Sequence, residues 1–376
     1  MKIVIMGPAY PYRGGIASFS VRMAKALQQD GHDVSIYTFS LQYPAFLFPG
    51  KTQYSDAAPP KGVTIYRKIN TIHPLNWLKV GEELRKEAPD LVIVKYWLPL
   101  MGSALGTILR RVKKNKHTKV IGLLHNIIPH EKRMGDQGLT RYFLRPVDAF
   151  LSLSRSVIAE SKKFDTQKPR AYNPHPVFDH FGEKVPRKEA AQYLNLDVES
   201  KYILFFGIIR DYKGLDWLLE AFSKTRAKAH VKLIIAGEYY ADKDQYDQQI
   251  ADLKLQNKVI VHDHFIKEEE VKYYFSIANL VAQPYKNATQ SGVTQIAYHF
   301  NCPMLVTKVG GLPEMIPDHK IGLVVNPDIS VITQGIEDYF TNNLEDEFKQ
   351  NFEEEKKKYS WGKLNQTIYS LYERIK

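Results

Sequence analysis

A chain of 376 residues that is 44% hydrophobic and 25% charged is too long for one comfortable core, which predicts two domains and excludes a disordered or fibrous chain. Its single cysteine, Cys302, excludes an internal disulfide and a cysteine-based metal site. A formal net charge of +11 points to an anionic partner: nucleic acid, an anionic membrane or a phosphorylated substrate.

The first run, KIVIM (2–6), is shorter than the roughly 7–15 apolar residues of a signal-peptide core. No stretch reaches the roughly 18–20 apolar residues that span a bilayer, and a cytoplasmic protein is expected. Gly14-Gly15 then precedes a helical pattern from about Ile16 to Gln29. Such a pair lets a ligand approach the backbone, and the helix amides favour negative charge. A simple turn uses the same residues, and G-x-G-x-x-G is absent.

DVSIYTF (33–39) is the next strand, followed by SLQYPAFLFPGKTQY (40–54), an apolar, proline-bearing segment of a length that tends to be functional. Its Phe46, Leu47 and Phe48 either pack in a hairpin or touch a lipid carrier. DLVIVKY (90–96) follows, then a helix beginning near Gly102 that ends in RRVKKNKHTK, Arg110 to Lys119. Those cations either complement the helix dipole in solvent or dock on an anionic leaflet. No zinc-finger spacing, RNA-recognition signature or basic repeat accompanies them, so nucleic acid is not expected. KVIGLLH (119–125) brings His125 to a strand end, with His130 and Glu131 beyond it, and DAFLSLS (148–154) closes the series.

The stretch Tyr172–Ala190 carries three prolines and no strand pattern, and places the domain boundary at 177/178. His175 and His180 in it serve hinge packing or the site. The pattern then restarts with YILFFG (202–207), VKLIIAG (231–237), KVIVH (258–262), NLVAQP (279–284), PMLVT (303–307) and GLVVNP (322–327). Short apolar runs between amphipathic helices imply buried parallel strands with right-handed crossovers. The expected fold is α/β: two Rossmann-like, doubly wound domains, with ligands outside the carboxyl ends of the strands and the cleft between domains as the default site.

In the second domain, Arg210 and Lys213 lie between the strand end at Gly207 and a helix starting near Leu215. Two cations near a helix N-terminus oppose its dipole, a placement that makes sense if an anion sits between them. In SGVTQIAYHFN (291–301), Val293, Ile296, Ala297 and Phe300 form one buried stripe. Ser291 and Gly292 stand where a cap belongs, so the amides of Gly292, Val293 and Thr294 are available to an anion. Together with Arg210 and Lys213 they would cradle a diphosphate and stabilise charge on a leaving nucleoside diphosphate. A capped core helix is the competing account. Asp242 and Asp244 superficially form a D-x-D metal motif, but in the hydrophilic EYYADKDQYDQQ a solvated surface is expected, and the chemistry is predicted to be metal-independent.

These motifs, in this order, resemble the retaining glycosyltransferases of the GT-B fold, in the large family-4 group that uses nucleotide-sugar donors. The resemblance covers nearly the whole chain. It rests on Gly14-Gly15, FFGIIRDYKGL opening the second domain, VGGLPEMI (309–316), and YSW (359–361) before a last helix. It implies that the last helix, within 357–376, returns to the N-terminal domain of 1–177, while 178–356 binds the donor. It also implies that Gly14, Gly15 and His125 lie near the donor sugar, that Glu314 contacts the donor, and that the N-terminal domain binds the acceptor. Two glutamates usual in the family fall at Ala288 and Ile296; Gln295 or Thr294 would then have to hold the ribose. The family's arginine after the glycine is here Ile208, with Arg210 two places on.

The expected function is transfer of a sugar from a nucleoside-diphosphate sugar to a glycan or lipid-linked hydroxyl with retention, in cell-surface polysaccharide or glycolipid assembly. No cofactor beyond that co-substrate is expected. A non-catalytic binding descendant, a sugar-nucleotide epimerase and a phosphorylase are the alternatives.

Overall fold

The computed structural model describes all residues except 44–51, 56–57, 129–134, 180 and 289–290. The chain divides into two compact units, Met1–His175 with Ser360–Lys376, and Pro176–Tyr359. The expected contacts of Phe46, Leu47, Phe48, His130, Glu131 and His180 fall outside the described residues.

The first unit is built on seven parallel strands: β1 (Lys2–Met6), β2 (Asp33–Leu41), β3 (Thr64–Asn70), β4 (Leu91–Tyr96), β5 (Lys119–Leu124), β6 (Ala149–Ser152) and β7 (Arg170–Tyr172), in the order β3-β2-β1-β4-β5-β6-β7. Helices cover both faces, so the central strands must be apolar throughout, and all six residues of β4 are buried. The strands not expected from the sequence are edges or near-edges for a physical reason. β3 (TIYRKIN) buries only Ile69, and β7 has three residues; neither needs the continuous apolar run that marks a buried strand.

The C-terminal helix, Trp361–Glu373, packs in this first unit. Trp361 stacks obliquely on Phe19 with ring centroids 5.0 Å apart, and Arg22 lies 5.0 Å over the Trp361 ring. Asn365 and Tyr369 both donate to Asp30, at 2.8 and 2.7 Å.

The second unit carries β8 (Lys201–Phe206), β9 (Val231–Ala236), β10 (Val259–His262), β11 (Leu280–Gln283), β12 (Met304–Thr307) and β13 (Gly322–Val325), all parallel, in the order β10-β9-β8-β11-β12-β13. Ile203, Phe205, Leu233 and Ile235 pack against Leu218, Leu219, Phe222 and Ile336. In each sheet the order reverses beside the first strand of the unit: between β1 and β4, and between β8 and β11. Ligands of open α/β sheets sit outside the carboxyl ends of the strands at such reversals. Gly14-Gly15 follows β1, and the Gly207–Lys213 turn and the Gly292–His299 helix follow β8 and β11.

Candidate functional site

In the second unit the site is built by two loops drawn together at the β8/β11 reversal. After β8 the backbone turns at Gly207, φ +92°, and passes through a one-turn 3₁₀ helix, Asp211–Lys213, to Gly214, φ +69°. Both glycines are required. A Cβ on Gly214 would collide with the carbonyl of Pro284, at the end of β11, and both φ values lie in the left-handed region. The loops are fastened further by Lys286 N donating to Tyr212 O at 2.7 Å and by the Lys286–Asp216 ion pair at 2.6 Å. This packing folds Lys213 inward, where it is 8% exposed.

Its ammonium stands 3.3 Å from the point where Gly207 would carry a Cβ, and Val293 Cγ2, in the first turn of the Gly292–His299 helix, stands 3.5 Å from that same point. Among the described residues Lys213 forms no ion pair. Burial, and secondarily the charge of Arg210, push its pKa down to about 7. Arg210 is exposed, with its guanidinium 5.2 Å over the Tyr240 ring. The result is a desolvated cation lacking a counter-charge, beside the positive end of a helix, with a second cation at the rim.

The Gly292–His299 helix has no side-chain cap. Ser291, buried, points its hydroxyl at Tyr285 OH, 3.3 Å away. Among the described residues no side chain caps the first-turn amides of Gly292, Val293 and Thr294, and Gly292 itself is exposed. The side chains of Thr294 and Gln295 turn into the core: Thr294 Oγ1 pairs with Gln283 at 3.1 Å, and Gln295 Nε2 lies 2.8 Å from Met315 Sδ. Ala288 and Ile296 are buried apolar positions. Glu314 lies in the first turn of the short Leu312–Met315 helix after β12, with its side chain exposed. Asp242 is occupied as a helix cap, accepting from Asp244 N at 3.1 Å.

In the first unit Gly14, φ +103°, precedes the Gly15–Gln29 helix, and among the described residues nothing beyond the adjoining chain lies within 4 Å of where a Cβ on Gly14 or Gly15 would stand. His125 follows β5, its amide donating to Tyr96 O at 2.8 Å. Its Nε2 is buried and has no hydrogen-bond partner among the described residues, and its edge faces Phe19, with centroids 6.1 Å apart. Burial first, then the charges of Lys95 and His175, hold the imidazole well below its usual pKa. His175 is buried against the same Phe19 ring, 5.1 Å away.

Lys95 escaped the sequence reading. It is the lone charge in the strand LVIVKY (91–96), and a lysine inside an otherwise apolar strand is the signal that could have found it. The basic stretch 110–119 is largely committed within the fold. Arg110 donates to Gly106 O and Tyr142 O, Arg111 to Glu82, and Lys113 to Asp148. Lys114 and Lys116 remain exposed. Among the described residues no group of three or more His, Cys, Asp or Glu side chains is placed to hold a metal ion, and no helix is long and apolar enough to cross a membrane.

Comparison with known proteins places both halves in one family context. Residues 13–171 match the model of Glycosyltransferase Family 4, and residues 186–359 that of Glycosyl transferases group 1. An uncharacterized glycosyltransferase of Methanocaldococcus jannaschii is 24% identical over 99% of this chain and 98% of its own. The N-acetyl-alpha-D-glucosaminyl L-malate synthase of Bacillus anthracis is 22% identical over 90% of this chain and 87% of its own. Among solved structures, Anabaena HepE in complex with UDP superposes with a TM-score of 0.76 at 16% identity, covering 98% of this chain and 99% of that one. Two parallel sheets, a C-terminal helix returned to the first unit and two family models matched in order along the chain lead to one conclusion: the protein belongs to the GT-B glycosyltransferases.

Proposed function

We propose that the protein transfers a sugar from a nucleoside-diphosphate sugar to a hydroxyl acceptor with retention at the anomeric carbon. The observation that carries this reading is Lys213: a buried ammonium that forms no ion pair among the described residues, at the start of an uncapped helix. A diphosphate supplies the missing negative charge. Arg210 gives a fork of donors at the rim, Lys213 a point charge, and the amides of Gly292–Thr294 complete the cradle. These groups act most strongly as charge grows on the departing diphosphate, which is where catalysis needs them. The neighbour crystallised with UDP agrees with a donor of this class. Because two fixed cations and a helix start neutralise the diphosphate, the chemistry is read as metal-independent.

The first unit binds the acceptor, with Gly14, Gly15 and the neutral His125 at the sugar. Among the described residues no carboxylate of the site is placed as a covalent nucleophile, so the leaving phosphate itself takes the proton of the incoming hydroxyl on the same face, in place of the two-carboxylate scheme of glycosidases. The net charge of +11 supports an acceptor that is itself anionic, a glycan or lipid-linked hydroxyl of cell-surface assembly, reached at the membrane surface through Lys114 and Lys116. Replacing Lys213 by Ala is expected to lower turnover of the donor by roughly 10²–10³, as for loss of an oxyanion donor; unchanged turnover overturns the assignment.

A second reading has its own observation. Ala288 and Ile296, where the family usually has glutamates, are buried apolar side chains. A protein that binds the donor and transfers nothing would fit them, and would show saturable nucleotide binding with neither transfer nor hydrolysis.

A further inference from the structure

β4 lies at the sheet reversal of the first unit and is apolar except for Lys95, which is fully buried. A buried ammonium is strongly disfavoured unless something compensates for lost water, and among the described residues Lys95 forms no ion pair. Among the described residues its compensation comes from one helix. Nζ donates to Ile16 O at 3.0 Å and lies 4.3 Å from the centre of the Phe19 ring. Ile16 and Phe19 are the second and fifth residues of the Gly15–Gln29 helix, the one that begins at Gly14-Gly15.

The surroundings fix this tether at both ends. Gly7 lies flat on the lysine stem; a Cβ there would stand 3.0 Å from Lys95 Cβ and 3.1 Å from Cδ. Ser20 Oγ lies 2.5 Å from Pro8 O and 3.0 Å from the same Ile16 O that Lys95 holds, and Ala9 N donates to Thr38 Oγ1 at 3.0 Å. The connection from β1 to Gly14-Gly15 is thus pinned to the sheet. Phe19 shares its ring among Lys95, His125 and His175, so the ammonium that sets the helix start also sits in the environment of the histidine.

We propose that Lys95 is a positioning residue for sugar transfer: from inside the sheet it fixes the first turn of the helix that begins at Gly14-Gly15. This rests on the reading above that Gly14, Gly15 and His125 meet the donor sugar. Among the described residues the charges acting on His125 are those of Lys95 and His175, and all three side chains contact Phe19. Removing the Lys95 charge is therefore expected to raise the His125 titration, because a positive neighbour disfavours the imidazolium.

Lys95→Met separates positioning from packing. It keeps the length of the stem and removes a desolvated charge, so a fold held only by packing loses nothing, and thermal stability is expected to stay level or rise. Donor hydrolysis and transfer are expected to fall about 10–100-fold in kcat with KM and UDP affinity within about threefold, as for a reacting geometry loosened without loss of binding. Lys95→Gln, which keeps a donor for Ile16 O, is expected to recover part of that loss and serves if the Met variant does not fold. NMR of the His125 ring should show its titration midpoint moved up in Lys95→Met. An active wild type beside variants with unchanged kcat and unchanged His125 titration overturns the positioning role alone. A wild type that turns over no donor overturns the functional reading and the positioning role with it.

Discussion

Lys213 Nζ stands 3.3 Å from the place where Gly207 would bear a side chain. The contact joins the end of β8 to the close of the turn that follows, and it leaves over Gly207 a space bounded by an ammonium and by the first turn of the Gly292–His299 helix. Only glycine keeps that space open, because φ is +92° there.

Gly207→Ala and Gly214→Ala should fail in different ways. The Gly207 methyl would occupy the space beside Lys213 and Val293, so nucleotide affinity should fall at least tenfold with a stability loss of about 1 kcal/mol for the left-handed backbone. At Gly214 the methyl meets the Pro284 carbonyl, which must shift. There the stability loss should exceed about 2 kcal/mol, since backbone strain and a displaced loop add. Chemical denaturation beside nucleotide titration distinguishes the two.

Lys213→Met should stabilise the fold while removing binding. The folded pKa of about 7 lies below the ordinary lysine value, so the unfolded chain holds the proton more tightly. The site costs stability at every pH below about 10.4, fully so below pH 7, and the cost fades as pH rises between those limits. Each kcal/mol regained should lift Tm by about 2–4 °C at pH 7, and the gain should shrink at pH 10. A variant less stable than wild type at pH 7 contradicts this.

Nucleotide binding should take up a proton. A diphosphate favours charged Lys213, so binding raises its pKa from about 7. The uptake should be roughly half a proton at pH 7 and nearly one at pH 8.5, with affinity falling by up to about tenfold per pH unit above pH 8. Calorimetry in buffers of different ionisation enthalpy reads this directly; buffer-independent heats at pH 8 contradict it.

Lys114→Glu with Lys116→Glu should weaken sedimentation with phosphatidylserine vesicles at least tenfold at low salt, at about 1 kcal/mol per cation near the surface. Arg110, Arg111 and Lys113 are held by Tyr142, Glu82 and Asp148 and cannot replace them. Unchanged sedimentation removes these lysines from the account.

The two sheets were legible in the sequence because central parallel strands, buried on both faces, must be continuous apolar runs; β3 and β7, at or near an edge, escaped because they need none. Arg210 and Lys213 were legible as cations opposing a helix dipole, but their difference was not. Whether a lysine folds inward depends on the Gly214–Pro284 contact across 70 residues of sequence. The side chains of Thr294 and Gln295 were read as ribose ligands through the family resemblance, while the packing against Gln283 and Met315 that occupies them is tertiary. Lys95 was hidden for the opposite reason. Its strand read so clearly as core that the one charge in it passed as part of the run.

The most direct measurement is calorimetric titration of UDP, GDP and ADP into the wild type and into the Arg210→Ala/Lys213→Ala double variant. Saturable binding of one of these nucleotides, lost in the double variant while its fold persists, is the predicted result. Binding that survives the double substitution, or no binding to the wild type, contradicts a diphosphate site at Gly207–Lys213.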